Sequence, residues 1–210
     1  MKNIYLVRHG QTDANREKLW IGARSLYKLN KDGRIEAMEA GVHLRDLDLD
    51  SSSIYASPVV RAFQSAQLIA VKLSLPIVPV PNLSEMFFGD IDGIGEDEFK
   101  SNFPVDYQEW VKSSLLFSPP NGETGTRFFN RAISVIEQLS YEADTKDVII
   151  VTHSGIVKMF LAKVLNADLN IGWRNLKLPE TPTGSISKFS LKDGKYSYLE
   201  TFTYHSSIDG

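Results

Sequence analysis

The sequence predicts an α/β fold, a three-layer α/β/α sandwich around a mostly parallel sheet. Three observations carry that expectation. Short apolar, β-rich runs alternate with segments of helical spacing along most of the chain. The run "DVIIVT" at 147–152 is continuous and β-branched, as in a strand covered on both faces. His9 and His153 each directly follow such a run. Open α/β sheets bind ligands beyond the carboxyl ends of their strands.

The elements follow in order. "NIYLV" at 3–7 is the first strand, and a polar loop runs from it to about Lys31. Ala37, Ala40, Leu44 and Leu47 recur at helical spacing. "SIYAS" is a short strand closed by Pro58, an N1 residue behind the N-cap candidate Ser57. Ala62, Ala66, Ile69 and Leu73 give the next helix one apolar face. "PIVPV" reads as an edge strand, because proline cannot donate to a ladder. Residues 82–122 are acidic and punctuated by glycine and proline. They are expected to form an irregular, lid-like segment with short helices around Phe99 and Trp110.

Phe128, Ala132, Val135 and Leu139 mark a long helix from about Glu123 to Tyr141. After "DVIIVT", the residues Ile156, Phe160 and Val164 lie on another helix. "SISKFSL" and "KYSYLETF" alternate around Lys192, Asp193 and Gly194, which predicts a terminal hairpin. No repeat or interdomain linker interrupts the pattern, so residues 1–210 are expected to form a single domain.

Composition narrows the function classes. The net charge of -3 gives no sign of a nucleic-acid or membrane partner. The absence of cysteine excludes disulfides, thiolate metal sites and a cysteine nucleophile. No signal peptide and no apolar run of membrane length is read, so a cytoplasmic location is expected. A homodimer is a candidate assembly.

The chemistry is expected at the strand ends. His9 stands in "VRHGQT" and His153 in "VTHSG", whereas His43 falls within a helix and His205 in the C-terminal tail, where surface or packing roles are expected. The plainer alternative for His9 is a strand-end imidazole bound to a backbone carbonyl. Arg8 adjoins His9, and Arg61 opens the helix after "SIYAS". A guanidinium presents a rigid donor fork that suits phosphate oxygens; the plainer alternative for Arg61 is a surface helix residue. Gly10 would let the backbone approach an anion, and the helix behind His153 would add oriented N–H groups. There is no His-x-His and no His-Glu-x-x-His, so neither a metal nor another cofactor is expected.

These residues carry a resemblance to a known family. "VRHGQT" with Asn15, "SPVVRAFQSA" from Ser57, "LSEMFFGDIDG" from Leu83, "NGET" with Arg131, and "VTHSG" occur in its order. Together they resemble the histidine phosphatase superfamily, in the branch of the cofactor-dependent phosphoglycerate mutases and small-molecule phosphatases. "EMFFGD" also resembles the α-ribazole phosphatases. The resemblance implies that His9 is the nucleophile, forming a phosphohistidine. It implies that Arg8, Arg61 and His153 hold the phosphoryl group, with Asn15 and Ser154 beside it. It implies that Glu85 is the proton donor; the plainer alternative is a surface carboxylate.

The sequence departs from the family pattern in places. Asp92-Gly93 replaces Glu-Gly, and Ser154 replaces a glycine, with Gly155 next to it. "SLYKLNKDG" lacks the usual Asp and Pro. About 28 residues separate Gly93 from Gly122, and no arginine occurs between Arg61 and Arg127. Five acids lie from Asp90 to Glu98 instead. A mutase must retain a multiply charged anion while it reorients, and an acidic rim suits that poorly. A phosphatase acting on a small phosphorylated metabolite is therefore expected. The alternatives are a phosphoglycerate mutase and a non-catalytic phospho-ligand binding protein. Leu115, Leu116 and Phe117 are read as core packing, with an apolar lid over the leaving group as the alternative.

Overall fold

Every residue of the strand Asp147–Thr152 is buried, as its β-branched run predicts. This strand, β4, is an interior member of a six-stranded sheet in a computed structural model that describes residues 1–203, the Arg174 side chain excepted. The other strands are β1 (Lys2–Arg8), β2 (Ile54–Ala56), β3 (Ile77–Pro79), β5 (Ile186–Lys192) and β6 (Lys195–Phe202). Their order is β3-β2-β4-β1-β5-β6. The pairs β3/β2, β2/β4 and β4/β1 are parallel, while β5 runs antiparallel to both of its neighbours. The proline-bearing strand sits at an edge, where a missing N–H does least harm.

The helices are α1 (Asp13–Arg16), α2 (Lys31–Asp46), α3 (Val60–Leu73), α4 (Glu96–Asn102), α5 (Pro104–Lys112), α6 (Gly125–Glu142) and α7 (Ser154–Val164). Successive side chains of a strand point to opposite faces, and the central strands therefore feed two cores. Tyr5, Val7, Ile149 and Val151 pack with α2 and α3 residues such as Leu44 and Ile69. Ile4, Leu6, Val148 and Ile150 pack on the other face with α6 and α7 residues such as Ile136 and Phe160. These are the three expected layers. His43 of α2 packs its ring 4.3 Å from Phe202. His205 lies outside the described residues.

Two local expectations change. The polar loop after β1 contains α1, closed by a capping box in which Thr12 and Asn15 satisfy each other's backbone N–H groups. Segment 82–122 carries short helices around Phe99 and Trp110, as expected. It holds α4 and α5, and it buries Phe99 and Phe117 completely. Ser57 does not cap α3. The N-cap is Val59, without a side-chain bond, and Ser57 Oγ pairs instead with His153 at 2.8 Å. A tertiary partner has taken the hydroxyl that local sequence rules assigned to the helix. Among the described residues, no helix is long and apolar enough to cross a membrane.

Candidate active site

Sheet register builds the site. Arg8 is paired with Thr152 across β1 and β4, and His9 N–H donates to Thr152 O at 2.9 Å. The residues that follow, His9 and His153, are therefore neighbours, with ring centroids 5.2 Å apart. On the far side of β4, Ser57 N–H donates to Val151 O at 3.0 Å. Ser57, His153 and His9 thus stand in a row along the carboxyl edge of the sheet.

The tautomer of His9 follows from its partners. Arg61 Nε lies 3.1 Å from His9 Nε2. A guanidinium N–H only donates, so Nε2 is the unprotonated acceptor. Nδ1 then carries the proton and donates it to Gly10 O at 2.7 Å. A backbone carbonyl anchors Nδ1, as in the plainer reading, and Nε2 presents a lone pair. Burial, then Arg61 and Arg8, hold the His9 pKa well below its ordinary value, so the ring is neutral.

His153 is fully buried, and its pKa is likewise depressed by burial first and by Arg61 next. Ser57 Oγ accepts from Val59 N–H at 3.3 Å and pairs with His153 Nε2 at 2.8 Å. Arg61 is also fully buried, which excludes the surface reading. Its Nη2 donates to Ile21 O at 3.1 Å and Gly22 O at 3.2 Å. Desolvation pushes its pKa down to about 10, opposed by Glu85, so it stays charged. Arg8 Nη1 donates to Thr181 O at 2.7 Å. Arg8 Nε, Arg61 Nη1 and His153 Nδ1 are buried with no hydrogen-bond partner. Buried polar atoms in proteins are nearly always paired, and each exception calls for an explanation. These three belong to the side chains expected to hold a phosphoryl group.

Glu85 is 7% exposed, so it is not the surface carboxylate of the plainer reading. Its Oε2 accepts from Gly155 N–H at 3.0 Å and its Oε1 from Met86 N–H at 2.9 Å. A Cβ on Gly155 would lie 2.2 Å from Glu85 Oε1. Gly155 therefore preserves a close approach, but to the carboxylate of Glu85. One N–H of the α7 N-terminus is engaged there too. Arg131 holds the chain around Glu85 from behind. It grips Glu123 through Nε at 3.0 Å and Nη2 at 2.7 Å, and donates to the carbonyls of Asn82, Ser84 and Glu85.

Comparison with known sequences now decides the family. The sequence model for the histidine phosphatase superfamily (branch 1) matches residues 4–202. The chain belongs to this superfamily. Among its relatives is the adenosylcobalamin/alpha-ribazole phosphatase of Escherichia coli, 26% identical over 170 residues, with 81% of this chain and 82% of that one covered. A 2,3-bisphosphoglycerate-dependent phosphoglycerate mutase of Bartonella henselae is 28% identical over 167 residues, covering 76% of this chain and 80% of that one. The solved structure of Bacillus stearothermophilus YhfR superposes with a TM-score of 0.84 at 26% identity, covering 94% and 95% of the two chains.

This histidine phosphatase chain gives Gly10 a different task from anion approach. Its N–H donates to Ser65 Oγ at 3.0 Å, and a Cβ there would meet Gly33 O at 2.0 Å. The glycine lets the loop after β1 lie against the start of α2. Asn15 lines the cleft, but its Oδ1 is engaged in the α1 cap, which leaves its amide NH₂ as the end available to a ligand. Ser154 also lines the cleft, a cavity of about 370 Å³ that it shares with Arg8, His9 and Glu85. The departure at Asp92 acts as a loop clasp, its Oδ1 accepting from Gly22 N–H and Ser25 Oγ.

Sequence reading missed Lys158. It lines this cavity and two adjoining ones of about 200 and 300 Å³. Burial, then Arg8, lowers its pKa, and Glu85 opposes the shift. Its spacing of four from Ser154 on α7 is the signal that places both on one helix face. Of the three residues read as packing or lid, Phe117 is buried and lines the cavity of about 200 Å³, Leu115 packs against the core, and Leu116 is 75% exposed.

Proposed function

We propose that the chain is a metal-independent phosphomonoesterase that hydrolyses a small phosphorylated metabolite through a phosphohistidine on His9. The observation that carries this reading is the pairing of an unprotonated His9 Nε2 with the unpartnered nitrogens of Arg8, Arg61 and His153. Such an arrangement offers a nucleophile and a preorganised cradle for the equatorial oxygens of a phosphoryl group. The relatives named as phosphatases support the same reading.

The steps follow from the groups present. His9 Nε2 attacks phosphorus while Arg61 Nε–H turns from the ring to a phosphoryl oxygen. The bond from phosphorus to the ester oxygen breaks, and Glu85 gives that oxygen a proton. Positive charge on the imidazole is drawn toward Gly10 O through Nδ1–H. Glu85, now a carboxylate, takes a proton from water, and the water oxygen attacks the phosphohistidine. The P–N bond breaks, inorganic phosphate leaves, and His9 is neutral again. Asn15 and Ser154 line the same cleft and supply further donors. The catalytic set in this reading is His9, Glu85, His153, Arg8 and Arg61.

Hydrolysis is favoured over mutase chemistry by the segment that covers the cleft. It offers no arginine to grip a multiply charged anion. The test is hydrolysis of p-nitrophenyl phosphate in EDTA, with labelling from a radiolabelled ester quenched in alkaline detergent, where a phosphohistidine survives. Turnover and a labelled protein are expected, and both vanish in His9→Ala. Labelling that persists in His9→Ala removes the nucleophile assignment. Isomerisation of 3-phosphoglycerate in the presence of 2,3-bisphosphoglycerate would establish the mutase reading instead. The enzyme is placed in the cytoplasm in this reading.

A further inference from the structure

We infer that the leaving group is a planar aromatic one, seated in the cavity beside Glu85 where all three tryptophans of the chain meet. The inference rests on the phosphatase reading above and adds the chemical class of the substrate. The chain has three tryptophans, Trp20, Trp110 and Trp173. They arrive from three separate segments: the loop after β1, helix α5 and a 3-10 turn at Trp173–Asn175. All three line one cavity of about 200 Å³, completed by Phe88, Phe117 and Phe128. Trp20 meets Phe88 at 5.2 Å and Trp110 at 4.9 Å, in edge-to-face geometry. A wall of rings at these angles offers both faces and edges to an inserted ring. A dry apolar cavity of about 150 Å³ holds one benzene-sized ring, so this one suits one or two.

The position of the cavity selects the leaving group rather than the phosphate. Trp20, Glu85, Phe88, Ser154 and Lys158 line both this cavity and the one that holds His9 and Arg8. Glu85 thus stands on the boundary. An ester oxygen within its reach has phosphorus on the His9 side and its organic group on the tryptophan side. A carboxylate-bearing leaving group would bring its charge against aromatic rings and Glu85, with Lys158 the one cation lining the cavity among the described residues. An unpaired charge in such surroundings is costly, whereas a flat apolar ring is not.

The test compares kcat/KM for 2-naphthylmethyl phosphate and glycerol 3-phosphate, both esters of alcohols with similar leaving ability. The aromatic ester is expected to be favoured by at least ~10-fold, the lower end of what an apolar pocket discriminates. Trp173→Ala is expected to reduce that preference by at least about 5-fold, since it removes one wall of the cavity. Should that variant fail to fold, the wild-type protein supplies a second measurement. Every tryptophan lines the cavity, so saturable titration of tryptophan emission by benzyl alcohol reads the cavity alone. Equal kcat/KM for the two esters, with no saturable emission change, overturns the inference and leaves the phosphatase reading standing. Hydrolysis of neither ester, with saturable binding of benzyl alcohol, overturns the phosphatase reading and keeps the aromatic site.

Discussion

Arg61 Nε–H points at the Nε2 lone pair of His9 across 3.1 Å. The bond does two things at once. It fixes His9 as the Nδ1–H tautomer, and in the proposed mechanism it parks a cation where negative charge develops. Arg61→Lys keeps the charge but has no planar fork and no Nε–H. Nor can an ammonium donate to His9 while also reaching the carbonyls of Ile21 and Gly22, which anchor Nη2. Its kcat is expected to fall by roughly 10²–10³-fold, the scale of losing one preorganised donor in such a site. Steady-state kinetics on p-nitrophenyl phosphate checks this, and a loss below a few-fold would mean that charge alone is what Arg61 supplies.

In the proposed mechanism the acid, Glu85, depends on a glycine as directly as the nucleophile, His9, depends on an arginine. Gly155 donates its N–H to Glu85 Oε2, and a methyl group there would sit against Oε1. In Gly155→Ala the carboxylate must turn away from the ester oxygen. The expected fall in kcat is about 10²-fold or more, approaching that of Glu85→Gln, because a misplaced general acid is nearly a missing one. Measuring both variants, and the double variant, distinguishes the two cases. If Gly155→Ala acts through Glu85, the double variant is no worse than Glu85→Gln.

Gly10 and Gly33 face each other too closely for either to carry a side chain. A Cβ on Gly33 would lie 2.0 Å from Gln11 O, and the atoms it would meet are backbone, which cannot rotate aside. Gly33→Ala therefore forces the loop after β1 away from α2. Overpacking of this kind costs about 1–3 kcal/mol. For a chain of 210 residues that is a fall in Tm of roughly 2–12 °C, read by thermal unfolding.

The parts of this architecture legible in the sequence are those set by local pattern. Strand β4 could be read because a buried strand needs apolar, β-branched residues at every position, and the two histidines stood out as polar residues ending such runs. What local pattern does not contain is long-range pairing. Ser57 looked like a helix cap until the fold brought it against His153, 96 residues away in sequence. Gly155 and Glu85 are 70 residues apart, and nothing near either one announces the other. The tryptophans lie at positions 20, 110 and 173 in segments without periodicity, so their convergence on one cavity exists only in three dimensions. Lys158 was hidden for a simpler reason: one of two lysines on a mostly apolar helix resembles any solvated helix residue until the cleft beside it is known.

The two buried histidines also set how stability responds to acid. Both are held below their ordinary values, chiefly by burial, and both rise toward about 6.5 when the chain unfolds. Below that value the unfolded chain binds protons that the folded chain does not. Stability therefore rises with pH up to about 6.5 and these two groups contribute no further change above it. Lowering the pH from about 7.5 to about 5.5 should remove about 1.4 kcal/mol for each histidine, on the order of 3 kcal/mol for the pair. Denaturant unfolding in chloride buffer at the two pH values measures the difference, with oxyanions left out because they would bind the folded site. His153→Gln removes one of the two groups, so its difference should be smaller than that of the wild type by about 1.4 kcal/mol. An undiminished difference would show that His153 titrates alike in both states, and with it that the neutral imidazole at the end of β4 is not what the buried surroundings enforce.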